Sequence, residues 1–514
     1  MKPSSELFNL IKSLSKSEKR FFKLSSSLQS GEKNYLRIFD AIEGQNEYDE
    51  EGLKELFKNE KFIKHLPSEK NHLYKLILKS LRSYHSDNSI NNVLKQDLKN
   101  IEILYKKALF KECNKFLKRA VKQAVMHEKY YYLFELISWK KILLEEAFES
   151  GDFNNDLDKL ILEEQECIAK LKNLAEYQIL YSKINYLFRI GGFVKSDEEK
   201  KMVDEIAKHP LIADSNGPLS VRAETVRFYV LGFCSNAYRN YPKSLRFFEQ
   251  VKHLLDENPH LRKDLGKRYL RSLINIIMGY MNQKDFDTAR TLTKELEEIQ
   301  KKPGFDSLDI QFMVFSAQNI AKLILCIRTG DFERGVDLIP HIEKEIEEGR
   351  KVNKEQRLIF CYIIAYIYFG NEQYKEALQW INKVLNDNEN TLRQDIFSYA
   401  RIFNLLIHYE LGNYDLLDYI VKSTSRYLNK RDREYKIESL LIDYIRKFSK
   451  LPDGDAKSEL YEALKLDLEE HFKDSSERVV MEYFDFKAWI LAKIAKITFR
   501  EMVIKRNLNS TPSE

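Results

Sequence analysis

"IAYIYFGNEQYKEALQWINKVL", running from Ile364 to Leu385, is the stretch on which the fold turns. Aromatic and aliphatic residues recur every three to four positions, the spacing of one helix face. The pattern stops at Phe369-Gly370-Asn371 and resumes around Ala377. Antiparallel helices approach to about 8–10 Å only where the side chains at their crossing are small. The stretch therefore reads as a helix, a short polar break and a second helix, with Ala377 at the crossing.

The same theme recurs along the chain. Aligned on the small residue after the break, copies place Cys113, Ser244, Ala289, Gly335, Ala377 and Leu417 at that site. Each carries an aromatic residue three positions earlier: Phe110, Tyr241, Phe286, Phe332, Tyr374 and Tyr414. From Ser244 onward the spacings are 45, 46, 42 and 40 residues. One hairpin cannot cover its own apolar stripe, so iterated hairpins must stack. The expected fold is all-α, a right-handed superhelical array of antiparallel helix hairpins with an N-terminal helical region.

The chain here resembles the tetratricopeptide repeat family. Leu231-Gly232 matches the family's Leu-Gly, and Tyr280 and Tyr368 match its first-helix Tyr. Phe286 with Ala289, and Tyr374 with Ala377, match the Tyr-x-x-Ala that enters its second helix. The family's period is about 34 residues; here it is longer, and the proline that ends a standard repeat is mostly absent. The resemblance spans residues 90–430. It implies a concave groove lined by the first helix of each hairpin, with a protein or peptide as partner. Carried over in register, that face contains Tyr229, Phe233, Arg271, Met278, Ile324, Ile327, Tyr362, Tyr366, Tyr399 and Tyr409. The family's carboxylate-gripping set of lysines and asparagines is not reproduced beyond Asn275.

Composition agrees with helices. Gly and Pro total 17 + 10 = 27 of 514 residues, against roughly 12% in average proteins, too few for a turn-rich β fold. The net charge of +5 is small for this length. It is unevenly spread: residues 61–130 hold 16 Lys+Arg against 6 Asp+Glu, whereas residues 141–170 are acidic. Such a contrast marks a nucleic-acid face or two neighbouring helices that pair their charges. The five cysteines are scattered, which fits buried thiols in a reducing compartment. The N-terminus lacks a signal-peptide core, and the longest apolar run, Leu358–Phe369, has 12 residues where a bilayer needs about 20. A cytoplasmic protein without a membrane span is expected.

Four regions are expected: N-terminal helices to residue 88, repeats over 89–430, capping helices over 431–506, and a disordered tail from 507. In the first, Ser15 and Glu18 fit a capping box, and a helix over Ser68–His85 follows Pro67 with Ser68 as its cap. "RIGGFVKSDEEKK" (189–201) and "HPLIADSNGPLS" (209–220) read as loops. Three closing helices end the chain. Asp455 caps the second, and the last, containing "FDFKAWILAKIAKITF", offers an apolar face for a homodimer.

Besides the groove, one other surface could bind. Lys75, Lys79 and Arg82, with Lys70 nearby, line one side of the Ser68–His85 helix, as in a helix that reads DNA. This leaves open a transcriptional regulator, its array sensing a ligand as in bacterial peptide receptors, and an RNA- or ribosome-associated factor using residues 61–130. No metal motif, phosphate loop or nucleophile elbow is present. No cofactor, no metal and no catalytic residue is expected.

Overall fold

The computed structural model describes residues 5–27, 34–146, 153–190, 194, 196–347, 352–387, 393–430, 435–452, 454–474 and 477–508. They are helical throughout, with no strand among them. The chain forms two compact units, Met1–Ile168 and Ala169–Glu514. The boundary falls inside one long helix, so the expected edges at 88 and 430 do not coincide with it.

The first unit contains α1 (Glu6–Ser13), α2 (Lys16–Ser27), α3 (Asn34–Gly44), α4 (Glu50–Leu56) and α5 (Leu66–Tyr84). These pack around Ile38, Phe39, Leu73 and Ile77. A second cluster joins α6 (Ile90–Lys106), α7 (Phe110–Met126) and α8 (Tyr130–Glu146) around Leu94, Ile101, Cys113 and Leu117. α9 (Phe153–Ile190) crosses into the second unit. The Ser15–Glu18 box forms, the Glu18 carboxylate accepting from Ser15 N at 2.7 Å and the Ser15 hydroxyl from Glu18 N at 3.2 Å. Ser68 caps nothing: α5 starts earlier, at Leu66, and Pro67 sits in its first turn. Proline's fixed φ and missing N–H suit that position. Glu163 and Glu164 of the acidic stretch pair with Lys140 and Lys141 of α8, at 2.6 and 2.7 Å, so these ion pairs lie beyond the basic segment of residues 61–130.

The second unit opens with α10 (Asp197–Ala207) and α11 (Pro210–Ala213). Both loops expected there are thus partly helical. Ser196 and Glu199 form a capping box at the start of α10, and residues 191–193 and 195 lie outside the described ones. Next come α12 (Val221–Ala237), α13 (Tyr241–Glu257), the short α14 (Pro259–Asp264), α15 (Gly266–Asn282), α16 (Phe286–Glu298), α17 (Leu308–Thr329) and α18 (Phe332–Glu347). They continue as α19 (Lys354–Gly370), α20 (Tyr374–Leu385), α21 (Gln394–Glu410) and α22 (Tyr414–Leu428). Each long helix packs chiefly on its sequence neighbours and on the next first helix, as α13 on α15 and α19 on α21.

The hairpin turns share one backbone. In all six copies the residue five before the small one is left-handed: Ala108, Arg239, Lys284, Gly330, Glu372 and Gly412 have φ between 56° and 78°. The next residue's N–H then bonds the carbonyl five back, as Asn240 to Ser235 and Gln373 to Tyr368, each at 2.9 Å. This is the wider bond of a Schellman turn. The residues at this site are buried, Cys113, Ala289 and Ala377 completely, as is the larger Leu417 of the last copy. The Ser244 hydroxyl donates to Gly232 O at 2.9 Å across the crossing. Glycines on the first helices complete the fit: a Cβ at Gly370 would lie 2.2 Å from the Phe332 ring.

Three helical segments were expected to close the chain; the third is broken. After α23 (Lys436–Phe448) and α24 (Asp455–His471) comes a 3-10 turn, Glu477–Glu482, then α25 (Phe486–Ala495) and α26 (Phe499–Leu508). Asp485 caps α25 by accepting from Ala488 N at 2.9 Å, and Lys496 turns left-handed at φ 54°. Asp455 is the first residue of α24 and not its cap, which falls at Gly454. Asn507 and Leu508, expected in a tail, are helical; residues 509–514 lie outside the described ones. One described helix, α17, is long and apolar enough to cross a bilayer, unlike the 12-residue run considered above, and 56% of that window is buried in the fold.

Candidate functional site: the first-helix face and its closing segment

The expected groove residues have three different fates. Tyr229 and Phe233 join an aromatic cluster with Tyr181 and Phe248, at ring separations of 4.9 to 6.4 Å. Tyr229 is buried and Phe233 half-buried. Burial drives the Tyr229 phenol well above its ordinary pKa. These two are packing residues.

Tyr399 and Tyr409 lie under the C-terminal segment. Tyr483 stacks on Tyr399 at 3.9 Å and donates its hydroxyl to Asp395 at 2.6 Å. Phe484 inserts among Tyr366, Phe369, Phe403 and Phe499, at 4.8 to 5.3 Å. Tyr409 shares a 2.6 Å hydrogen bond with Tyr461 and touches Trp489. Trp489 is almost fully buried and donates its indole N–H to Glu410 at 2.6 Å. The apolar face expected to recruit a second subunit is spent here, inside the chain. Phe484, Phe486, Trp489 and Ile490 are each about 1% exposed.

Arg271, Met278, Ile324, Ile327, Tyr362 and Tyr366 line open space. A cavity of about 440 Å³ lies between α15, α17, α19, α21 and the closing segment. Its walls are apolar (Met278, Ile324, Ile327, Ile359), and its polar groups come from Lys284, Arg328, Arg393, Glu482, Asp485 and Arg506. A hollow of about 710 Å³ shares Met278 and Ile359 with it and continues past Arg271, Met313 and Ile320. Most of the cavity's charged groups are held. Glu482 accepts from the Tyr241 hydroxyl at 2.6 Å, with Arg328 at 3.7 Å. Asp485 pairs with Arg506 at 2.5 Å, and its N–H donates to the Tyr366 hydroxyl at 3.0 Å. Burial pushes the Asp395 carboxyl up, but the Arg393 guanidinium and the Tyr483 hydroxyl hold it below the usual carboxylate range.

Residues of the closing segment that shape this cavity (Met481, Glu482, Tyr483, Asp485 and Arg506) were missed in the sequence. "MEYFDF" (Met481–Phe486) carried the signal, since aromatic residues at both odd and even positions need contacts on more than one side. The five cysteines are buried thiols. Burial raises Cys234 to about 12 and Cys326 and Cys361 to about 11. Among the described residues, no group of three or more His, Cys, Asp or Glu side chains is placed to hold a metal ion.

On α5, Lys70 is not available to nucleic acid. It is paired with Glu50 at 2.7 Å and bonded to Tyr48, with a side chain 13% exposed. Lys75, Lys79 and Arg82 are exposed on the side away from Leu73 and Ile77, with no ion pair to a described residue.

No protein-family model matches the chain, and no curated protein is significantly similar to it.

Proposed function

We propose that this protein is a non-enzymatic helical-repeat scaffold, akin to tetratricopeptide arrays, that binds a peptide segment of a protein partner. The hollow and the cavity that follow the first-helix face, joined at Met278 and Ile359, carry this reading. Ligand sites of this size are mostly apolar with a few fixed polar groups, and this one has that character. Neither lining contains histidine or cysteine. The cavity's tyrosines stay neutral because burial raises Tyr362 and Tyr366 far above the ordinary phenol value. Its carboxylates are paired, which suits recognition better than proton transfer. The repeat family and the superhelical course of the hairpins belong to the same proposal, supported by the common turn geometry.

Ile327→Trp tests it by filling the cavity from α17. Partners or display-selected peptides retained by the wild-type protein should be lost, with the fold intact by circular dichroism. An unchanged set of bound peptides would sink the proposal.

A second reading rests on the first unit. Lys75, Lys79 and Arg82 on α5, with Lys115, Lys118 and Lys122 along α7, are exposed and form no ion pair with described residues. They suit a nucleic-acid backbone, whether of DNA for a regulator or of RNA for a ribosome-associated factor. Affinity for random duplex DNA or RNA should then fall steeply with salt. Reversal of the α5 charges should weaken it.

A further inference from the structure

Near the end of the repeats, α21 and α22 enclose a concavity of about 250 Å³ whose charged groups, among the described residues, are all cationic. Arg401 of α21 and Lys422, Arg426 and Lys430, on and just past α22, line it with Tyr427, Ser423 and Tyr419. Among the described residues, no acidic side chain does. The acidic residues of α22 lie at its start, and Asp418 is engaged elsewhere, with Arg446 at 3.3 Å and Lys450 at 3.8 Å. None of the four cations forms an ion pair with a described residue.

A solvated helix end accounts for part of this. Arg426 and Lys430 sit where the negative end of the helix dipole favours cations. It does not account for Arg401. That guanidinium is half-buried and lies 4.2 Å from the Tyr427 ring, and its Nε is buried without a hydrogen-bond partner. Burial lowers its pKa. Bringing a guanidinium out of water beside three other cations is unfavourable unless an anion joins them. Lys422 and Arg426 lie four residues apart on one face of α22, and Lys430, just past the helix end, lines the same concavity. Ser423 adds a hydroxyl donor, and the Tyr419 ring stands 76% exposed at the rim.

We propose that this cup binds an oligophosphate anion, either a free phosphate chain or the phosphates of a nucleotide. A single phosphate carries too little charge to balance four cations, and a chain of two or three matches it. The site shares no residue with the first-helix cavity, so it stands or falls independently of the peptide-binding proposal.

Isothermal titration of the whole protein at physiological salt tests it, with tripolyphosphate, ATP and inorganic sulfate as probes. Tripolyphosphate or ATP should bind once per chain, and sulfate far more weakly. Lys422→Glu with Arg426→Glu changes only exposed side chains and should weaken binding roughly a hundredfold, since each charged hydrogen bond is worth about 1.5–3 kcal/mol. Arg401→Met should weaken it about tenfold. Tyr419→Ala separates the two sources: weaker ATP binding with tripolyphosphate unchanged identifies a nucleotide, and no change in either identifies the bare chain. The proposal is overturned by absence of saturable binding, or by equal loss when Lys115, Lys118 and Lys122 are reversed instead, which would mean diffuse attraction. Binding of a single-stranded oligonucleotide without tripolyphosphate or ATP would likewise overturn it, in favour of a nucleic-acid face.

Discussion

The first helices of the second unit present two unlike stretches. On α15 and α17, Arg271, Met278, Met313 and Ile320 face an open hollow. On α21, Tyr399 and Phe403 are packed under Tyr483 and Phe484, while Tyr362 and Tyr366 of α19 touch that segment at the edge of the cavity. Both follow the same hairpin theme with the same turn. They differ in what covers them: the chain's own C-terminus closes one and leaves the other to water. The last hairpin of a consecutive series has an apolar face that must be covered. Here the closing segment does so by folding back over residues some 80 to 240 positions earlier, such as Asp395 and Tyr241. Open space along the first helices is therefore confined to what the segment does not fill.

The sharpest way to break this contrast is Phe484→Ala. It removes a ring held by at least four others and should cost about 3–5 kcal/mol, whereas Phe233→Ala, at a half-buried site, should cost about 1–2. Urea unfolding followed by hydrogen exchange on α19–α21 and on α12–α15 measures both. Equal losses would erase the distinction.

Glycine substitutions sharpen it further. Gly370→Ala drives a Cβ into the Phe332 ring, and an overpacked site of this kind costs about 1–3 kcal/mol. Gly279→Ala meets only the Leu245 side chain at 3.0 Å and should cost less. The pair is read as a difference in unfolding midpoint.

Acid tests the polar clasp of the closed stretch. The Asp395 carboxyl titrates below its unfolded value, so its contribution is complete above the ordinary carboxylate pKa of about 3.9 and is lost as pH falls through the depressed one. Tyr483→Phe removes one donor to that carboxylate. It should cost about 1–2 kcal/mol near neutrality and move acid release of the closing segment to higher pH. Tryptophan fluorescence, with Trp489 in that segment, follows it; an unmoved acid midpoint contradicts the role given to Tyr483.

The smallest effect is expected at the turns that both stretches share. A left-handed non-glycine residue costs about 1 kcal/mol, so Arg239→Gly and Glu372→Gly should each stabilise by about 0.5–1 kcal/mol in thermal unfolding. Destabilisation of either would show that its side chain has a task the backbone does not explain.

Much of the fold was legible because it is local. Spacing of apolar residues gave the hairpins, and the aligned residue of each copy, from Cys113 to Leu417, falls at a buried position. The Ser15–Glu18 cap was readable from two side chains three residues apart. The candidate site was legible only in part. Arg271, Met278, Tyr362 and Tyr366 line the hollow or the cavity, but Tyr229, Phe233, Tyr399 and Tyr409 do not. A helical register says which side of a helix a residue takes and not what lies across from it. Lys70 shows the same gap, because its partner Glu50 belongs to another helix.

By itself the sequence determined the helices, their pairing into hairpins and the positions where two backbones approach closely, since each depends on residues within a few turns of one another. Tertiary structure decided which apolar faces are closed, where the cavity ends and which charges are left without partners. Those outcomes arise when segments far apart in the chain compete to cover the same surface, and no short window of residues contains both competitors.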